Sequence, residues 1–402
     1  MSKVRLTQIC NITTGKLDSN DAEENGIYPY FTCAPEPLRI NSFAFDDDVI
    51  LLAGNNAAGN FHCQRFTGKF NAYQRTYVIT AKEGYDIDFI YYNLLINLKY
   101  LKKISQGSQT KFLTMKILDA FEISNIPFKN QKRLSSVLSN IDKKIENNNK
   151  INAELESLAK TIYDYWFLQF EFPNEEGKPY KSSGGKLVWN EELKREIPEG
   201  WAYSLLKDKF SIKRGVSYTS DDIKNNNGIP MLNLACIDTN RNYRDGELKF
   251  YSGKAKAEFL SSGDLIVACT DLTRNADIVG SPILVPQTGE NFIFSMDLVK
   301  LIPNKDIFDK YYLYMCLRTD FYHNYIKKWA SGTNVLHLNL DGISWYKTWI
   351  PPMELQNKFS NIIKKIHSKK GIILKENREL SSLREFLLPL LMNGQVGYIE
   401  NE

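Results

Sequence analysis

The chain of 402 residues is poor in the features that usually announce chemistry. Its six cysteines (Cys10, Cys33, Cys63, Cys236, Cys269, Cys316) are scattered and form no CxxC pair. That excludes a disulfide frame or a cysteine zinc site and reads as free thiols in a reducing compartment. The four histidines, His62, His323, His337 and His367, fall at no metal-ligand spacing with Cys or a carboxylate, so no metal is expected. No GxGxxG follows an apolar run, and Ser183-Gly-Gly-Lys186 lacks the upstream glycine and the Ser/Thr of a phosphate-binding loop. Asp46-Asp47-Asp48 reads as a solvated turn before a strand rather than an ion site. No run approaches the ~18 apolar residues of a membrane span. The segment MSKVRLTQICNITTGK lacks the apolar core of a signal peptide, so the expected location is cytoplasmic. These absences describe a binder and not an enzyme, with neither cofactor nor metal of its own.

A strong charge of one sign is missing as well. The net charge is +4. Residues 1–127 hold 13 basic and 13 acidic side chains, and residues 198–351 hold 18 and 17. The excess lies in 128–170, with 7 against 5, and in 352–393, with 8 against 4. A polyanionic partner must therefore be argued from local clusters.

What the chain does have is a repeat. A helical stretch from Pro127 to about Phe167 returns from Pro352 to about Met392, and both read as unbroken helices. Seam positions in the first copy are Leu134, Leu138, Ile141, Ile145, Asn148, Asn152, Leu155, Ala159 and Ile162. In the second they are Phe359, Ile363, Ile366, Lys370, Ile373, Asn377, Leu380, Arg384 and Leu387, each 225 residues on. Steps alternate four and three, the spacing of a coiled-coil seam, with Asn152 and Asn377 at one matched position where a polar pair across the seam would fix register. Asn393-Gly394 supplies a helix stop.

Ahead of each helix lies a matched block. Leu6–Gly15 corresponds to Leu206–Gly215, Gly26-Ile27 to Gly228-Ile229, Asp48–Ala53 to Asp264–Ala268, and Tyr91-Tyr92 to Tyr311-Tyr312. Gln106–Thr114 corresponds to Ser331–Asn339. Val49–Ala53 and Tyr77–Ile79 read as strands and Ile87–Leu101 as one amphipathic helix, so each block is a compact α/β (α+β) domain. The expected boundaries are 1–127, helix 128–168, linker 169–197 with the Ser182-Ser183-Gly184-Gly185 centre, 198–351, helix 352–393 and tail 394–402. Asn174–Gly177 and Ile197–Trp201 read as docking points flanking the linker. Antiparallel helices make the linker join neighbours; parallel ones require it to run back about 60 Å, which 30 residues also reach.

Polar clusters supply the candidate contacts. Asn55, Asn56, Asn60, His62, Gln64 and Arg65 form one group, and Asn71, Tyr73, Gln74 and Arg75 a second. The later domain offers Arg214, Tyr218 and Thr219 with Thr270, Asp271, Thr273, Arg274 and Asn275. Asn, Gln and Arg present the paired donors and acceptors that read base edges. Gly107, Ser108, Gln109, Thr110 and Lys111 match Gly332, Thr333 and Asn334 in place, which makes these loops the strongest candidates.

The chain resembles the DNA-specificity subunit of a Type I restriction–modification enzyme over nearly its whole length. The resemblance is carried by Gln106–Lys111 leading to Ile126-Pro127 and Gln131, and by Gly332-Thr-Asn leading to Ile350-Pro-Pro352 and Gln356. Tyr165-Trp166-Phe167 with Phe170, Ile197-Pro-Glu-Gly-Trp201 and Leu387–Gly394 add to it. Leu336 and His337 depart from the Lys-type run of the first loop. The resemblance implies two target-recognition domains related by a pseudo-twofold and separated by a long antiparallel two-helix coiled coil, each reading half of a gapped double-stranded DNA target. It also implies two adenine-N6 methyltransferase subunits that bind S-adenosylmethionine, and restriction/translocase subunits. A stand-alone DNA-binding regulator and a coiled-coil scaffold without a nucleic-acid role are the alternatives.

Overall fold

The computed structural model describes residues 2–224, 227–246, 248–254, 256–273 and 275–396. They form two compact units, Met1–Asn147 with Arg378–Glu402, and Asn148–Asn377. Both have mixed α/β content.

The first unit is built on a six-stranded sheet in the order Cys10–Thr14, Thr76–Ala81, Phe45–Ala53, Cys63–Ala72, Tyr28–Phe31, Leu38–Ile40. Neighbours are antiparallel except Tyr28–Phe31 beside Cys63–Ala72. The apolar run Val49–Ala53 is central and buried on both faces. Ile50 and Leu52 face a core with Phe89, Ile90, Leu118, Leu134 and Leu138, whereas Val49 and Leu51 face Phe31, Phe70 and Val78. That alternation is the period of a strand. The stretch 87–101 is not one helix: it breaks at Asn97 into Ile87–Ile96 and Leu98–Ile104. Asn97 leaves helical geometry at φ −96° and ψ 7°, and its Nδ2 donates to Asn93 O at 2.8 Å, a local bond that competes with the helix ladder.

The second unit repeats this plan with one strand divided. Phe210–Arg214, Leu298–Pro303, Leu265–Ala268 and Pro282–Leu284 form one sheet; Lys249–Tyr251, Ile229–Leu232 and Ile293–Phe294 form another. The single strand Cys63–Ala72 thus corresponds to two short ones, and the parallel pairing Tyr30↔Asn71 has its counterpart in Met231↔Ile293. Matched glycines mark equivalent close approaches. A Cβ on Gly15 would lie 1.8 Å from Ala72 O, and one on Gly215 2.1 Å from Ser295 O. Leu6 N donates to Phe121 O and Leu206 N to Tyr346 O, both at 2.9 Å. Residues 168–197 are more ordered than a linker requires. Phe172 stacks on Tyr180 and Trp201 at 4.5 and 5.5 Å, and Leu187–Asn190 pairs with Arg195–Pro198. Ser182–Gly184 keep the exposed character expected of this stretch's centre.

The long helices span Phe128–Tyr163, followed by a wider π turn at Asp164–Leu168, and Met353–Met392. Pro389 lies inside the second, one turn from its end. That helix stops at Gly394, whose φ of 70° accompanies Gln395 N→Leu390 O at 2.9 Å and Gly394 N→Leu391 O at 3.3 Å, the paired bonds of a Schellman cap.

Their contacts run antiparallel. In the first unit Arg384 Nη1 donates to Asp142 Oδ1 at 2.8 Å, and Leu134 and Leu138 share a core with Leu391 and Met392. In the second, Asn148 Nδ2 donates to Asn377 Oδ1 and Glu376 Oε2 at 2.8 Å, Lys370 pairs with Glu156, and Tyr163 meets Phe359 at 5.9 Å. The expected seam bond between Asn152 and Asn377 does not form. Asn377 Nδ2 instead donates to Asn149 Oδ1 at 2.9 Å. Equal positions in two copies do not face each other when one helix runs backwards. Asn152 sits about one turn out of register and faces a cavity of about 180 Å³ with Glu156, Lys370, Gly371 and Leu374. Its Oδ1 is buried there without a hydrogen-bond partner among the described residues. Of the other seam positions, Leu134, Ile141, Phe359 and Ile366 are buried, while Leu155, Ile162, Leu380 and Leu387 are half-buried.

The same cavity wall carries a charge cluster. Burial raises the Glu156 carboxyl, but Arg318 at 3.0 Å and Lys370 outweigh it and hold it below the usual range. Burial lowers His367 to about 4, with Lys370 and Lys310 adding to the effect, while its Nε2 bonds Val285 O at 3.0 Å.

Two outcomes follow from this seam. Asn377→Leu removes one of the two acceptors of Asn148 Nδ2 and the donor to Asn149 Oδ1 and should cost about 0.5–1.5 kcal/mol, whereas Asn152→Leu removes an unsatisfied oxygen and should leave the melting temperature equal or higher. Thermal melts of the two variants in the opposite order would contradict the register. For His367 the folded pKa lies below the unfolded value of about 6.5, so its contribution is complete above that pH and is lost as pH falls toward 4, by about 3 kcal/mol. Denaturant titrations across that window should show a steeper loss for the parent than for His367→Gln.

Candidate nucleic-acid interface

The two loops singled out by their matched position are the same hairpin. In the first unit Gln106 bridges Phe112, and in the second Ser331 pairs with His337, each 225 residues on. Gly107 and Gly332 adopt φ of 97° and 141°. A Cβ on either would lie 2.0 Å from a carbonyl, Thr110 O or Val335 O, so both tips require glycine. Each hairpin is tied to the loop that leaves the central strand. Leu113 N donates to Gly54 O and Leu338 N to Cys269 O, both at 2.8 Å. Asn55–Asn56 pairs with Lys111–Phe112, and Thr270–Asp271 with Leu336–His337. Ser108, Gln109, Thr110, Thr333 and Asn334 are all exposed at the tips.

Around the first hairpin the structure gathers Asn55, Asn56, Asn60 and Lys111. Asn56 Oδ1 accepts from Ala58 N and Asn60 N at 3.0 Å and shapes the loop. Lys102 Nζ donates to Asn60 Oδ1 at 2.7 Å. Gly54 N donates to Arg75 O at 2.9 Å, which brings the exposed Arg75 to the base of the same loop. Around the second hairpin, Thr270 Oγ1 donates to Asp297 Oδ1 at 2.9 Å. Asp297 lines a groove with Tyr218, Thr219, Lys249 and Met296. Lys249 Nζ donates to Tyr218 OH at 3.0 Å, and Arg214 is exposed on the neighbouring strand.

Several expected contact residues serve the fold instead. Arg65 is committed, with Nε to Asp88 at 2.7 Å, Nη2 to Asp48 at 2.9 Å and Nη1 to Val49 O at 2.6 Å. Gln64 Nε2 donates to Pro35 O, Gln74 Nε2 to Asp18 Oδ2 at 3.4 Å, and Asn71 is buried. Asp271 is fully buried, its carboxylate accepting from Thr273, Ile278 and Val279 N at 2.6 to 2.8 Å. Thr270 is buried and Thr219 caps a short turn by bonding Asp222. His62 and Tyr73 are half-buried, and burial lowers the His62 pKa. Thr273 is half-buried and Asn275 exposed; Arg274 lies outside the described residues.

Four cations missed in the sequence lie in the same places. Lys102-Lys103 ends the helix before the first hairpin, and Lys327-Lys328 precedes the second at the same 225-residue offset; all four are exposed. The offset itself was the signal that would have found them. Each half thus presents a basic pair beside a glycine-tipped polar hairpin, an arrangement suited to holding a phosphate backbone while short side chains meet base edges. Among the described residues no group of His, Cys, Asp or Glu is placed to hold a metal ion, and no helix is long and apolar enough to cross a membrane.

Each half thus repeats one plan, a hairpin-bearing α/β domain ahead of a long helix. The family described as the Type I restriction modification DNA specificity domain matches residues 1–157 and 198–382. The chain belongs to that family, whose members recognise DNA sequence in restriction–modification systems and are not themselves catalytic. The EcoDI specificity subunit of Escherichia coli is 31% identical over 214 residues, which span 50% of this chain and 46% of that one. The MjaVIII specificity subunit of Methanocaldococcus jannaschii is 23% identical over 94% of this chain and 88% of its own. The crystal structure of the Type I S subunit from M. genitalium superposes with a TM-score of 0.62 at 17% identity, covering 97% of this chain and 96% of that one.

The two arginines separate fold from interface. Arg65→Ala leaves Asp48 and Asp88 without their cation and should lower stability by about 1–3 kcal/mol, while Arg75→Ala should change it by less than about 0.5 kcal/mol. Equal losses in denaturant titrations would contradict the assignment.

Proposed function

We propose that this chain reads a bipartite, gapped double-stranded DNA target, one half-site through each hairpin and its adjoining loop. The observation that carries the reading is the recurrence of the whole constellation: glycine tip, strand-end loop and lysine pair stand at matched positions in both halves. On this reading Lys102, Lys103, Lys327 and Lys328 hold phosphates. Asn55, Asn60, Arg75, Gln109, Thr110 and Lys111 serve one half-site, and Arg214, Tyr218, Thr333 and Asn334 the other.

The two long helices act as an antiparallel coiled coil that holds the reading domains apart and sets the number of unread base pairs. The chain acts in the cytoplasm and positions two adenine-N6 methyltransferase subunits, with restriction/translocase subunits joining them. S-adenosylmethionine belongs to those methyltransferase subunits, which take the target adenine out of the stack. The near-neutral domains fit this division, since the partners supply the remaining positive surface that DNA affinity requires.

Methylation of a library with both half-sites randomised tests the reading. Lys111→Ala or Arg75→Ala should relax the first half-site by about 1–3 kcal/mol at one position and leave the second unchanged. Asn334→Ala should do the reverse. Lys102→Ala with Lys103→Ala should weaken all targets alike and flatten the salt dependence of binding by about two phosphate contacts. A first-half substitution that altered the second half-site would overturn modular reading.

A further inference from the structure

Each half contains a buried polar clasp at the root of its long helix. In the first, Asp86 caps the helix Ile87–Ile96 by accepting from Phe89 N at 2.9 Å. Its own backbone N–H donates to Gln131 Oε1 at 2.9 Å, Gln131 Nε2 donates to Ile126 O at 2.8 Å, and Ser135 Oγ donates to Asp86 Oδ2 at 2.6 Å. In the second, Asp309 caps Lys310–Leu317 through Tyr311 N at 2.7 Å. Its N–H donates to Gln356 Oε1 at 2.9 Å, Gln356 Nε2 donates to Pro351 O and Ile307 O at 2.9 Å, and Ser360 Oγ bonds Asp309. Gln131 and Gln356 are 1% and 0% exposed, Ser135 and Ser360 3% and 5%.

A helix cap usually completes its hydrogen bonds locally, a Glu or Gln three residues on accepting from the cap N–H. Here those positions hold Phe89 and Tyr312, neither of which accepts from the cap N–H, and a glutamine from the long helix takes the place in both halves. Apolar packing alone tolerates a small slide or tilt of a domain against its helix. A polar network built on buried glutamine and serine side chains tolerates one geometry, because any slide strands several groups at once. We infer that the Asp86–Gln131–Ser135 and Asp309–Gln356–Ser360 clasps are positioning devices that fix the angle of each reading domain on its helix and so the fidelity of the gap between half-sites. This inference rests on the bipartite reading proposed above.

The test compares the parent with Gln131→Met and Gln356→Met, each in complex with its methyltransferase subunits, on a library in which both half-sites are fixed and the gap varies. The parent should methylate one gap length. Either variant should gain methylation at neighbouring gaps by at least about tenfold relative to the parent's preferred length, with half-site sequences unchanged. Ser135→Ala and Ser360→Ala repeat the test more gently and decide it should the glutamine variants not fold. Loss of total methylation with the parent's gap preference intact would overturn the inference and leave the clasps as stabilisers only. A parent that shows no bipartite target would instead overturn the function on which the inference rests.

Discussion

Within each unit the two long helices meet in one register, and a few polar contacts define it. Leucine and isoleucine seams are degenerate, since an apolar stripe slides by a turn at modest cost. Asn148 bonded to Asn377 and Lys370 paired with Glu156 in one unit, and Arg384 paired with Asp142 in the other, remove that freedom. A slide of one turn would strand a buried amide or a partly buried charge, at about 1–3 kcal/mol for each group left unmade. Asn152 shows what a missed pairing looks like: a buried carbonyl oxygen facing Gly371 and Leu374 with nothing among the described residues to accept from. Along the seam the duplicated sequence is thus not duplicated in its contacts, because matched residues of antiparallel copies meet different neighbours.

Both halves put rigidity where the backbone must turn and leave short polar side chains exposed at the hairpin tips. Gly107 and Gly332 close tips that no other residue can occupy, and the carbonyls of Gly54 and Cys269 anchor the returning strand of each hairpin. Arg65, Asp271 and Thr270 are spent inside this scaffold. What remains outside is short, polar and locally basic, beside domains whose overall charge is close to zero. A site of that kind discriminates by placement more than by attraction.

Much of this was legible in the sequence, and the limits have physical causes. The two long helices, the strand Val49–Ala53, the matched loops and the Asn393-Gly394 stop are each set by local patterning, so periodicity and turn residues sufficed. Which polar residues the fold ties up was not legible. Arg65 meets Asp48 and Asp88 only because strand pairing and a packed helix bring them together, and Asp271 is fixed by backbone N–H groups seven and eight residues away. The break at Asn97 turns on one side-chain bond, and residues 168–197 are ordered by burial of Phe170 and Phe172 that their Ser-Gly centre concealed. Lys102-Lys103 and Lys327-Lys328 were visible throughout, since the 225-residue offset that exposed the helices also joins them.

The measurement that bears most directly on the proposed spacing role is a matched four-residue insertion in both helices, between Glu146 and Asn147 and between Arg378 and Glu379, read by mapping methylated sites. Four residues lengthen a helix by about 6 Å and nearly complete a turn, so the apolar stripes stay face to face. At about 3.4 Å per base pair, the gap between half-sites should grow by one to two base pairs with both half-site sequences unchanged. An active complex whose gap stayed at the parent's length would contradict the account.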